Sequence, residues 1–106
     1  MHRKEWSMAK VILTMQYEID ERKREEFLGT VKELQSHYKA NPHISYLVCE
    51  QKGKKNAFAE MYIAESEEAY AQFKESEDQA ADSISEKLSA YMKNGKAKYT
   101  TYVESL

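Results

Sequence analysis

Along this chain the period of the apolar residues switches from two to between three and four and back, and then does so a second time. That double switch leaves few folds open. Lys10 to Ile19 alternates: Val11, Leu13, Met15, Tyr17 and Ile19 share one side, and Ile12, Thr14, Gln16 and Glu18 share the other. Asp20 follows as a helix cap, with Glu21 placed well against the helix dipole. Phe27, Val31, Leu34 and Tyr38 then recur at helical spacing, and Asn41-Pro42 ends the run. Gly29, inside this helix, is expected to allow close backbone packing.

Two alternating runs come next. In the first, Ile44, Tyr46 and Val48 oppose Ser45, Leu47 and Cys49. In the second, Ala57, Ala59, Met61 and Ile63 oppose Phe58, Glu60 and Tyr62. The short polar turn around Gly53 joins them as a hairpin. Ser66 caps a second helix, with Glu67 and Glu68 in its first turn. This helix carries two stripes out of phase, Tyr70 with Phe73 and then Ala80, Ile84, Leu88 and Tyr91, so a break is expected near Ser76. Asn94-Gly95, which tolerate a left-handed backbone, close it before a last strand from Lys98.

The order β-α-β-β-α-β predicts a ferredoxin-like α+β domain, an antiparallel four-stranded sheet with two helices on one face. Helices cover only that face. The other is expected to carry Ile12, Thr14, Gln16, Phe58, Glu60, Tyr62 and Tyr102. A sheet face bearing Phe and Tyr is costly to leave in water, which points to a homodimer formed through the sheets.

With 106 residues the chain makes one domain. The first eight residues read as an N-terminal extension, disordered or arising from an alternative start at Met8, and the domain runs over 9–106; Trp6 would be exposed or dock on a partner. The formal net charge of -2 gives no general attraction to nucleic acid. No apolar run approaches the roughly 20 residues that span a bilayer. The single Cys49 forbids an internal disulfide and fits a reducing, cytoplasmic setting.

No residue cluster has metal-ligand spacing, and there is no phosphate loop or hydrolase motif. The candidates for chemistry are therefore single residues. Glu60 lies between two aromatics on a central strand; buried, it must pair with a partner or act as a base of raised pKa. Tyr17, Tyr46, Tyr62, Tyr70, Tyr99 and Tyr102 suit either an aromatic-ligand pocket or ordinary packing. Met15 and Met61 are expected in the core, where they could also line a cavity under the helices. His43 stands at the mouth of the second strand, as a turn residue or as a proton acceptor; His37 suits the end of the first helix. Cys49 reads as a buried structural thiol. The run from Glu21 to Glu26 reads as a solvated face in which Arg22 and Glu26 pair weakly.

Pro42, Tyr46, Glu60, Tyr62 and the phrase from Glu65 to Tyr70 together resemble the antibiotic-biosynthesis-monooxygenase-like family of dimeric α/β barrels, over nearly the whole chain. The resemblance implies small oxygenases that oxidise quinol-like aromatics without metal or flavin. It implies Tyr17, Tyr46, Tyr70, Met15 and Met61 as substrate-binding residues, His43 as the base, a small aromatic as partner and no cofactor. A non-enzymatic ligand-binding or stress-associated dimer is the alternative. The haem-degrading branch is the more distant reading, because Asn on the first strand, Trp at the end of the third and His on the second helix are all missing.

Overall fold

The computed structural model describes residues 8–105. The N-terminal extension, apart from Met8, and with it Trp6, lies outside the described residues. Four strands are present: β1 (Val11–Glu18), β2 (Ile44–Glu50), β3 (Ala57–Ala64) and β4 (Lys98–Val103). They form one sheet in the order β2-β3-β1-β4, with every neighbouring pair antiparallel. Three α-helices, α1 (Arg24–Lys39), α2 (Glu67–Glu75) and α3 (Gln79–Tyr91), cover one face. α2 and α3 are the two halves of the expected second helix. This is the ferredoxin-like arrangement.

The caps act as the sequence implies. The Asp20 carboxylate accepts from the Arg22 amide and opens a short 3-10 turn that runs into α1. The Ser66 hydroxyl accepts from the amide of Ala69. The second helix breaks at Ser76, whose backbone is extended, and Asp78 caps α3 by accepting from Ala81. Asn94 and Gly95 both take positive φ. Phe27, Leu34 and Leu88 are fully buried between helices and sheet, and burial of each such side chain contributes about 1.5–3 kcal/mol.

The register decides which sheet face is which. Tyr17 lies opposite Phe58, Met15 opposite Glu60, Leu13 opposite Tyr62 and Val11 opposite Ala64. Directly paired residues share a face, so Phe58, Glu60 and Tyr62 point at the helices, not at the outer face where the sequence pattern put them. The outer face keeps Ile12, Thr14, Gln16 and Tyr102 as expected, and carries Leu47, Met61 and Ile63 in place of Phe58, Glu60 and Tyr62. The cause is the Glu60 carboxylate: its charge marks that row as exterior until partners inside the core are counted.

Smaller expectations are also corrected. Gly29 is exposed, and a Cβ added there would meet nothing within 4 Å, so it serves no close packing. Ala81, not Ala80, is the buried alanine of α3. Cys49 is exposed on the outer face. Arg22 pairs with Asp20 rather than Glu26. Arg24 leaves the solvated face to hold Glu50 and Asn56 at the hairpin, with its guanidinium over the Phe58 ring.

Candidate functional site

Glu60 is the centre of the site. It sits on β3 with 1% of its surface exposed, and both oxygens are engaged by phenols. Tyr17 on β1 donates to Oε2 at 2.8 Å, and Tyr46 on β2 donates to Oε1 at 2.5 Å. The sheet register explains the convergence. Glu60 faces Met15 on one neighbour and Val48 on the other, so Tyr17 and Tyr46 occupy the two diagonal positions. Diagonal neighbours on one face lie within reach of an aromatic side chain.

A buried carboxylate is normally held by a cation. Here phenols alone donate to it among the described residues. Burial pushes the Glu60 carboxyl upward, while hydrogen bonds from Tyr46 and Tyr17 and the nearby Tyr62 hydroxyl pull it back. The phenols respond in turn. Tyr17, Tyr46 and Tyr62 are all raised, by burial first and by the Glu60 charge second. Tyr38 is pushed up to about 12, chiefly by burial.

An aromatic cluster continues from this point. Tyr46 and Tyr62 have ring centroids 4.9 Å apart, Tyr62 and Phe73 5.3 Å, and Phe73 and Tyr70 6.4 Å. Tyr38 packs on both Tyr46 and Tyr62 from α1. On the other side of Glu60 a cleft of about 380 Å³ opens between α3 and the sheet. Met15, Glu60 and Tyr62 line its floor, Ser85 and Leu88 its wall, and Asp82, Glu86 and Tyr99 its rim. The volume suits a small ring compound. A larger groove of about 680 Å³ runs beside the hairpin and the start of β4, but it is edged by lysines and lacks the buried carboxylate.

Of the residues named from sequence, Tyr17 and Tyr46 meet at Glu60, and Met15 lines the cleft. Tyr70 joins the cluster only through Phe73. Met61 is on the outer face and cannot share a cavity with them. His43 is exposed, its Nδ1 bound to Glu65, and does not line the cleft. Asp82, Ser85 and Glu86 were not named from sequence, and Tyr62 and Tyr99, named there among the tyrosines for a pocket or for packing, were not in the substrate-binding set. The register of the hairpin was the signal that would have brought in Tyr62. No group of three or more His, Cys, Asp or Glu among the described residues could hold a metal ion.

No family model matches the sequence, and no curated protein matches it either. Solved structures share the fold. A conserved protein from Methanosarcina mazei Go1 superposes with a TM-score of 0.79 at 16% identity, covering 96% of this chain and 99% of that one. A Caulobacter crescentus CB15 protein, provisionally assigned as an antibiotic biosynthesis monooxygenase, gives 0.76 at 14% identity over 95% and 94%. SnoaB, a cofactor-independent oxygenase from Streptomyces nogalater, gives 0.73 at 9% identity over 92% and 95%. Identities this low establish a shared architecture and no more. No described helix is long and apolar enough to cross a membrane.

Proposed function

We propose that the chain belongs with the antibiotic-biosynthesis-monooxygenase-like proteins and that its cleft takes a small phenolic or quinol-like aromatic. The observation that carries this reading is Glu60, a buried carboxylate at the floor of the cleft, to which phenols alone donate among the described residues. A site that already accommodates phenol hydroxyls at a carboxylate is chemically suited to one more. Glu60 then acts as the base, a role the sequence left open for Glu60 and the family resemblance gave to His43. Its raised pKa brings it closer to that of a phenol and makes proton transfer less uphill. The resulting phenolate passes one electron to dioxygen, giving an aryloxyl radical and superoxide, which recombine as a carbon–oxygen bond forms. The chain's own part is to exclude water, orient the ring against Tyr62 and Tyr99, and take the proton at Glu60. The fold shared with SnoaB supports this reading.

Oxygen uptake with a panel of quinols is the test. Wild type consumes oxygen above buffer with at least one quinol, and Glu60→Gln lowers kcat by two to four orders of magnitude, the range of a lost general base. Uptake with no member of a broad panel removes the oxygenase reading. A second reading has its own support. Tyr17 and Tyr46 already occupy both Glu60 oxygens, which suits a pocket that binds without turnover. A quinol that binds by calorimetry but consumes no oxygen selects that reading.

A further inference from the structure

The Glu60 cluster has a property that needs no ligand in the cleft. We propose that Tyr17 and Tyr46, both hydrogen-bonded to the Glu60 carboxylate, form a proton-coupled one-electron redox site in the core. An electron leaves one phenol for a one-electron oxidant, such as an aryloxyl or peroxyl radical, which becomes the phenolate or the hydroperoxide anion. The same O–H bond breaks, and its proton moves to Glu60. The products are a neutral tyrosyl radical and a protonated carboxyl, so atoms and charge balance.

Three observations support this. The proton path is one hydrogen bond long, 2.5 Å from Tyr46 and 2.8 Å from Tyr17. A phenol oxidised without such an acceptor becomes a cation radical, which an apolar interior disfavours. Here oxidation instead discharges a buried carboxylate, so the low dielectric assists the step. Burial, which raises the Glu60 pKa, makes it a better acceptor.

The surrounding rings give the electron a route. From Tyr46 the next centroid, Tyr62, is 4.9 Å away at the cleft floor, and Phe73 then Tyr70 lead outward at 5.3 and 6.4 Å. Tyr38 bridges Tyr46 and Tyr62 at 5.6 and 5.5 Å. The exposed Tyr99 and Tyr102 have no carboxylate partner among the described hydrogen bonds.

The test is photo-oxidation of the full chain by tris(bipyridyl)ruthenium with persulfate, followed by rapid freezing and electron paramagnetic resonance. A background of Trp6→Phe, Tyr99→Phe and Tyr102→Phe removes the tryptophan and the two exposed tyrosines as competitors. The expected result is a tyrosyl signal whose yield falls by an order of magnitude when Tyr17→Phe and Tyr46→Phe are added together. Glu60→Gln, with its fold checked by near-UV circular dichroism, is expected to lower the yield as far while leaving every ring in place. If that variant does not fold, the solvent isotope effect on radical formation in the background protein decides: slower formation in D2O supports proton coupling, and equal rates overturn it. A yield indifferent to the Tyr17 and Tyr46 changes, or to Glu60→Gln in a folded variant, overturns the proposal. The experiment uses no quinol, so its outcome is separate from that of the oxygen-uptake test.

Discussion

At the residue scale one side chain governs the rest. Glu60 is in the core because Tyr17 and Tyr46 replace the water it would otherwise hold. Those bonds do not fully offset desolvation, since the carboxyl remains raised. The sign of the linkage follows. A group whose pKa is higher in the folded than in the unfolded chain contributes stability below the unfolded value and loses it as pH rises through the folded one. The unfolded value is near 4.5. Glu60→Gln removes this titration, so urea denaturation is expected to show the variant gaining on wild type as pH rises from about 4.5 towards neutrality and beyond. A difference that does not change with pH would mean that Glu60 titrates normally. Asp20 and Glu50 act in the opposite direction. Arg22 holds Asp20 down to about 2, and Arg24 does the same for Glu50. What these two contribute is present above the ordinary carboxylate range and lost in strong acid, and their exposure keeps it small.

At the element scale the caps and breaks were legible, because they depend on single residues with local geometry. Asp20, Ser66, Ser76, Asn94 and Gly95 all stand where the chain needed a start or a stop. Asp78 does more than cap α3. It also binds Nε2 of His37 at 2.6 Å, tying the end of α1 to the break between α2 and α3. Asp78→Ala therefore loses both contacts and is expected to cost about 1–2 kcal/mol, against less for Asp78→Asn, which keeps a capping oxygen. Equal losses in thermal or urea denaturation would mean that the His37 contact, not the cap, carries the effect. Gly29→Ala, in the middle of α1 with open space around it, is expected to stabilise by up to about 1 kcal/mol. What was not legible was the facing of β3. Ala57, Ala59, Met61 and Ile63 look like a core row, and Phe58, Glu60 and Tyr62 look like an outer row with a charge in it. Strand period fixes which residues share a face but not which face is inside. That choice rested on two tyrosines on other strands, a non-local fact that no window of β3 contains. The same error sent Met61 to the cavity and Tyr62 to the outer face, whereas Tyr17 and Met15, on a strand with one plainly apolar row, were placed on the helix side.

At the scale of the whole molecule, the re-facing of β3 changes the reason for expecting a dimer without removing it. The outer face now carries mainly aliphatic residues, with Tyr102 as an aromatic: Ile12, Met61 and Ile63 half-buried by their neighbours, with Leu47 46% and Tyr102 56% exposed. Met61 lies near its middle, directly between Leu47 and Thr14. Helices already cover the opposite face, so a second copy laid sheet to sheet would bury this row. A specific interface buries about 800 Å² on each partner, within reach of four strands of this length. The proposed dimer would leave the Glu60 cleft on the far side of the sheet, accessible to its ligand. Met61→Lys puts a charge at the centre of that interface while leaving the helix-side core untouched, and Leu47→Lys puts one on the edge strand β2. Light scattering after size exclusion is expected to give a dimer for wild type and a monomer for Met61→Lys, with near-UV circular dichroism unchanged. A wild type that is monomeric at high concentration removes the sheet-to-sheet dimer. A Met61→Lys protein that remains dimeric moves the contact to another surface, and the exposed Leu47 and Tyr102 would then require a different partner.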